Sequence, residues 1–253
     1  MEGRKHQDGM LQLGCAGASI PSEATAAFPA EGSHLERYAS IFNTLEINFS
    51  FHRAHKIQTY ARWADSVPSK FRFSVKLPKT ISHQLRLAQC EEPLRKFATE
   101  TAGLEQKLGC VLVQLPPSLQ FDSTVADSFF NLLARAFPCE LACEARHPSW
   151  FGEDATDLLR SHAIVRVIAD PPKGQAGAHV PTTDTIYARL HGNPRVYYSS
   201  YPDDYLAAMA RDIAVHNVAG RTVWCIFDNT ASGAAVSNAL TLLNCRHKSV
   251  AAI

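Results

Sequence analysis

Three pairs of polar residues stand two positions apart with an apolar residue between them: Glu46-Ile47-Asn48, Glu144-Ala145-Arg146 and Arg189-Leu190-His191. Side chains two apart in an extended chain share a face, so each pair presents two polar groups on one side of a strand. The residue types suggest chemistry. Glu144 has a cation two residues on, a setting in which a carboxyl pKa is readily tuned for general acid or base work. His191, and also His83, can carry a proton near neutral pH. Glu46 adds a second carboxyl group. Lys76, Arg146 and Arg189 come from three separate stretches; arginine clasps a phosphate or carboxylate with two parallel hydrogen bonds, and lysine adds a point charge.

Other polar residues close further apolar runs. They are Gln114, Asp170 and the Asp228-Asn229 pair, of which Asn229 is taken into the candidate site with Asn48, Gln114 and Asp170. Tyr197, Tyr198 and Tyr201 follow Arg189 and His191, with Arg195 nearby, where aromatic rings can stack on a sugar or base. A competing assignment has Arg146 and Arg189 neutralised by Glu46, Glu144 and Asp170 in an internal ion-pair network. Glu46, Glu144, Asp170 and His191 are also a conceivable divalent-metal set, although no HExxH motif supports it and the nearby cations oppose it. No cofactor is expected. GxSxG, Walker and GxGxxG patterns are absent from the sequence.

Eight short apolar runs carry these residues, at 11–16, 44–49, 71–77, 110–115, 140–145, 163–169, 186–190 and 222–227. Runs that are apolar on both faces fit strands of a covered parallel sheet. Amphipathic segments of helical length separate most of them, at 34–42, 56–66, 92–108, 125–137, 154–162, 203–217 and 233–244. Alternating strand and helix implies right-handed βαβ units, and eight strands favour closure into a (β/α)8 barrel of the TIM type. One unit departs from the pattern. Residues 171–185, PPKGQAGAHVPTTDT, are too rich in Pro and Gly for a helix, so a long loop is expected to replace the helix after strand six. Such a loop is a candidate lid or ligand loop. In barrels of this type ligands bind at the C-terminal ends of the strands, where seven of the eight runs stop at a polar side chain.

Of the 253 residues, 46% are hydrophobic and 19% charged, a globular composition. The formal net charge is +1, so no overall field draws the chain to nucleic acid or to a membrane surface. Seven cysteines, with no CxxC pair, point to reduced thiols and a cytoplasmic location. No run approaches the length of a membrane span. A flexible segment is expected over 1–10, one barrel domain over 11–247 and a tail over 248–253.

Taken in order, T-L-E-I-N-F at 44–49, F-R-F-S-V-K at 71–76, L-V-Q-L-P-P at 112–117, E-A-R-H-P-S-W at 144–150, Y-A-R-L-H-G at 187–192 and F-D-N at 227–229 resemble the DUF72 (YecE-like) family. The resemblance runs from about Leu13 to Leu243 and implies a (β/α)8 barrel of unassigned activity. Glu46, Lys76, Gln114, Glu144, Arg146, Asp170, Arg189, His191 and Asn229 fall on positions of the family pattern. Two segments depart from it. The aromatic stretch expected after strand one is Gly14-Cys15-Ala16-Gly17-Ala18 here, and the Phe-Tyr after strand two is Phe51-His52.

These readings converge on an enzyme that acts on a small phosphorylated or carboxylated, sugar-like metabolite by acid/base chemistry. A nucleic-acid binding or processing barrel and a non-catalytic ligand-binding barrel are the alternatives.

Overall fold

The computed structural model of the chain describes residues 9–250. Its strands are β1 (Leu11–Cys15), β2 (Thr44–Ile47), β3 (Arg72–Lys76), β4 (Leu108–Gln114), β5 (Glu140–Glu144), β6 (Val165–Arg166), β7 (Ile168–Asp170), β8 (Ile186–Leu190) and β9 (Val223–Phe227). All pair in parallel in the order β6-β5-β4-β3-β2-β1-β9-β8-β7. The result is a nearly closed TIM-type barrel, as expected. Helices α1 (His34–Ala39), α2 (Ile57–Asp65), α3 (Glu91–Thr101), α4 (Ser123–Ala136), α5 (Glu153–Ser161), α6 (Asp203–Val218) and α7 (Ala234–Val250) cover the outside. Their starts carry local signals, among them the Ser33–Glu36 capping box of α1 and the Asp122 cap of α4.

The sixth apolar run, expected as one strand, is two. β6 pairs with β5 and β7 pairs with β8, so the ladder changes neighbour at Val167. The cause lies in the loop that replaces the missing helix. Thr182 Oγ1 accepts a hydrogen bond from Arg166 N at 2.9 Å and donates to Ile164 O at 2.6 Å. The Arg166 guanidinium reaches Val180 O, Trp150 O and Thr156 Oγ1. Residues 171–185 contain no helix, as their composition requires, and they are tied down through these contacts.

The expected segment 1–10 lies mostly outside the described residues, which do include Gly9, whose N–H donates to Asn217 O at 3.0 Å. The last helix was expected to end at Asn244 but continues to Val250, because 245–250 holds no Gly or Pro to stop it. The proposed tail at 248–253 therefore begins as helix, and 251–253 lie outside the described residues.

Strand parity organises the interior. Ala16, Cys110, Leu112, Ala142, Val165, Val167, Tyr187, Trp224 and Ile226 form an apolar layer inside the barrel, with the Tyr187 and Trp224 rings stacked 5.8 Å apart. Their neighbours in sequence pack outward against the helices. Cys143 belongs to that outer layer, as expected from its position one off the face of Glu144. No described helix is long and apolar enough to cross a membrane.

Candidate functional site

Two residues further along each strand, the same inward face turns from apolar to charged. Arg189 follows Tyr187 on β8, Glu144 follows Ala142 on β5, Gln114 follows Leu112 on β4, and Glu46, Lys76 and Asp228 join them from β2, β3 and the end of β9. All six are buried. Arg189, with 0% exposure, is the hub. Its Nε donates to Glu46 Oε2 at 3.0 Å and its Nη2 to Glu46 Oε1 at 2.6 Å, a bidentate pair. Nη1 reaches Glu144 Oε2 at 2.5 Å, and Nη2 also reaches Asp228 Oδ2 at 3.0 Å. Beneath this, the Tyr187 hydroxyl donates within 2.9 Å of Glu46 Oε2 and lies 2.7 Å from Ser74 Oγ. The internal ion-pair network weighed from the sequence is thus present around Arg189, with Asp228 rather than Asp170 as its third acid.

His191 lies between two carboxylates. Nδ1 is 2.9 Å from Asp228 Oδ2 and Nε2 is 3.2 Å from Glu144 Oε1. Burial opposes its charge, but the hydrogen bonds to Asp228 and Glu144 prevail and raise its pKa, which favours an imidazolium donating from both nitrogens. Glu144 is the most heavily bonded acid. It accepts from Gln114 Nε2 at 3.0 Å, from Arg146 Nε at 2.9 Å and from Arg189 and His191. Burial alone would raise its pKa, yet Arg189, His191 and Arg146 hold it well below the usual carboxylate range. The Asp228 carboxyl is lowered for a similar reason: burial works against its charge, and Arg189 and His191 outweigh it. These acids are held as anions, and His191 holds the labile proton.

Two further cations, Arg146 and Lys76, flank this network. Arg146, its side chain 13% exposed, pairs with Glu144 at 2.8 Å and lines a small cavity with Glu144, Ala169, Pro171, Lys173, His191 and Val196. Its free volume is about 10 Å³, close to that of one water molecule. Pro171 and Lys173 bring the helix-replacing loop to this cavity. Lys76 Nζ sits 4.3 Å from the centroid of the Phe51 ring. His83, half-buried, meets the same ring edge-on at 5.0 Å and bonds to Ser82 Oγ at 2.9 Å. Burial together with the nearby charges of Lys76 and Arg146 lowers the His83 pKa.

Three expectations are corrected. Asp170 does not face the barrel interior: the Tyr205 hydroxyl donates to its Oδ2 at 2.6 Å and the Tyr201 hydroxyl lies 3.1 Å from its Oδ1. Asn229 turns outward as well, its Nδ2 donating to Ser199 O and Asn238 Oδ1, both at 2.9 Å. Each is one residue out of phase with its strand's inward face. Tyr201 is buried, accepting from Gly192 N at 2.9 Å, and so braces the turn after His191 instead of lining the mouth. Gly192 has φ +92°, and a Cβ there would lie 2.8 Å from Ser199 O, so that turn requires glycine. Tyr197 does reach the site, its ring 5.8 Å from that of His191 and its backbone at φ +71°. Asn48 does too, its Nδ2 donating to Asp228 Oδ1 at 3.1 Å. His147 caps the turn at 148–151, accepting from Ser149 N at 3.2 Å.

Asp228, Tyr187, Ser74 and Lys173 were missed. Asp228 is in phase with Trp224 and Ile226, which the structure places inside the barrel, whereas Tyr187 reads as one more apolar member of its run. Among the described residues, no group of three or more His, Cys, Asp and Glu is placed to hold a metal ion. The guanidinium of Arg189 fills the position between Glu46, Glu144 and Asp228 that a cation would take.

At the β1–β2 rim, on the side facing α1 and α2, the lining is different. A cavity of about 390 Å³ opens there, lined by Ala18, Leu35, Leu45, Ile47, Phe49 and Trp63 together with Glu46 and Asn48. Phe49 is 72% exposed at its edge.

The family model described as "Protein of unknown function DUF72" matches residues 12–252. UPF0759 protein YecE of Escherichia coli K12 is 33% identical over 169 residues, 64% of this chain and 60% of that protein. The match thus spans under two thirds of that relative's length. A DUF72 family protein of Enterococcus faecalis V583 superposes with a TM-score of 0.79 at 22% identity, covering 94% of this chain and 96% of the other. A second, from Thermotoga maritima MSB8, gives 0.77 at 26%, with 93% and 98% covered.

Proposed function

The chain belongs to the DUF72 family, and from the site it carries we propose an enzyme that transfers protons on a small anionic, sugar-like metabolite at the C-terminal face of the barrel. His191 is the proton donor and acceptor, Arg146 with Lys173 attracts the anionic group, and Glu144 and Asp228 hold His191 in place. One observation carries the reading: an imidazole bonded through both nitrogens to buried carboxylates, lining the same cavity as Arg146 and Lys173. A histidine in such a setting is poised for proton transfer close to neutral pH. Arg189 has a structural role in this scheme, since three carboxylates take its donors. A space of about 10 Å³ does not admit a metabolite, so entry requires outward movement of the segments bearing Pro171, Lys173 and Val196. A sugar phosphate isomerase/epimerase of Parabacteroides distasonis has a similar fold, with a TM-score of 0.51 at 12% identity and 93% of each chain covered. That likeness is one of fold, and it is compatible with a sugar-like substrate.

The test is a thermal-shift screen with sugar phosphates, hydroxy acids and oxo acids on wild type, Arg146→Ala and His191→Asn, followed by proton NMR in D2O of any compound that binds. A compound that stabilises wild type but not Arg146→Ala, and exchanges a carbon-bound proton only where His191 is present, is the expected result. If nothing on the panel shifts wild type, or if His191→Asn exchanges as fast, the reading fails and the network is structural.

A further inference from the structure

Within the charged mouth, one group stands apart from the hydrogen bonding. Arg189, Glu46, Glu144, Asp228, His191 and Arg146 each have at least one charged partner. Lys76 has none: among the described residues its Nζ makes no hydrogen bond and no ion pair, and its single close charge contact is the face of Phe51 at 4.3 Å. The side chain is nonetheless 8% exposed at the end of β3, on the same inward face as Ser74. A buried ammonium with three unused donors is poorly accommodated, and burial with the nearby Arg189 charge pushes its pKa down to about 8. Glu46, Asp228 and Glu144 act in the opposite sense without coming into contact. A fraction of about one in ten is then the free amine at pH 7, many times that of an ordinary lysine.

We propose that Lys76 is a nucleophile that forms an imine with the carbonyl carbon of the substrate. This rests on the anionic-substrate reading above and narrows it to aldehydes and ketones that carry a phosphate or carboxylate, such as oxo acids and open-chain sugar phosphates. In the step, the free Nζ lone pair forms the C–N bond while the C=O π pair moves to oxygen, which takes up a proton. The nitrogen sheds a proton, and the carbinolamine hydroxyl, protonated by an acid such as His191, leaves as water. The product is an iminium whose charge lies in the field of Glu46, Asp228 and Glu144, the acids that already act on the Lys76 charge. Hydrolysis consumes the same water and returns the amine, so no oxidant or reductant enters. The role fits the residue: a lysine ion-paired to a carboxylate stays protonated and keeps no free lone pair, whereas Lys76 has no such partner among the described residues.

The experiment is reductive trapping. The full chain is incubated at pH 7.5 with pyruvate, glyoxylate or glyceraldehyde 3-phosphate, reduced with sodium cyanoborohydride, and read by intact mass and peptide mapping. The expected result is a single adduct at Lys76, at least tenfold over any other lysine, absent from Lys76→Arg. Mapping of the wild type decides the site even if that variant folds poorly. Adducts spread over surface lysines, or none at Lys76 with any probe, overturn the imine. If a non-carbonyl anion still stabilises wild type in an Arg146-dependent way, only the imine falls; if no anion does, the anionic-substrate reading falls with it.

Discussion

The two sides of the barrel mouth are built on opposite principles. Between β5, β8 and β9, charged groups are packed so closely that about 10 Å³ of space is left, and each carboxylate is bonded to Arg189, His191 or both. Over β1 and β2 the cavity measures about 390 Å³ and its walls are largely apolar. The first side has chemically capable groups without room, and the second has room with few polar groups. Asn48 connects them, donating to Asp228 while lining the larger cavity, and its Oδ1 is buried with no hydrogen-bond partner. The difference teaches that position in the fold does not by itself define a binding site. Buried charges must be mutually satisfied before any ligand arrives, and that requirement closes the space around them. The open side lies where this sequence departs from the family pattern, at Ala16-Gly17-Ala18 in place of an aromatic stretch.

The sharpest way to break the comparison is to remove a partner on the tight side. Glu46→Ala leaves the fully buried Arg189 without its bidentate acceptor, and should cost about 3–5 kcal/mol in urea unfolding. Exchanging both for apolar residues, Glu46→Leu with Arg189→Met, should recover only part of that loss, because buried Glu144 and Asp228 then lose the cation they share. A single-variant loss below about 1 kcal/mol would mean the network is not rigid. Next in size is Tyr187→Phe, which deprives Glu46 and Ser74 of a shared hydroxyl and should cost about 1–2 kcal/mol by the same measurement.

A pH scan separates the groups on the tight side. The His191 pKa is raised in the folded state, so its contribution is complete below the unfolded value of 6.5 and is lost as pH rises through the folded value. Glu144 and Asp228 are lowered, so theirs is present above 4.5 and 3.8 and is lost on acidification. Melting temperature should therefore decline as pH rises above 6.5, and His191→Asn should flatten that decline. Lys76, lowered from 10.5 to about 8, acts in the opposite sense as pH nears and passes 8, which bounds the useful window. An unchanged profile in the variant would show that His191 is not held by its two acids.

The smallest effect is expected on the open side. Ala18→Phe adds a ring to a space that already exists, so stability should stay within about 0.5 kcal/mol of wild type. Binding of larger compounds in the thermal-shift panel should weaken while that of the smallest anions is unchanged. A large loss of stability would mean that the cavity closes in solution.

The sequence by itself determined the barrel, the helix-less loop and the end of the barrel at which polar groups collect. Apolar runs spaced by amphipathic segments, and a Pro- and Gly-rich stretch where a helix is due, are local properties that any fold must respect. It also placed Glu46, Lys76, Gln114, Glu144, Arg146, Arg189 and His191 together, since residues two apart share a face wherever the strand ends up. Phase was harder. Ile168-Ala169-Asp170 is apolar on both faces before its acid, so the pattern does not say which side Asp170 takes, and Asp228 and Asn229 differ only by one position. Only the tertiary structure decided those, together with the partners: that Arg189 is surrounded by three acids, that Lys76 has none in contact, and that Thr182 divides the sixth strand. Such outcomes depend on distances between residues as many as 180 positions apart, and no local pattern encodes them.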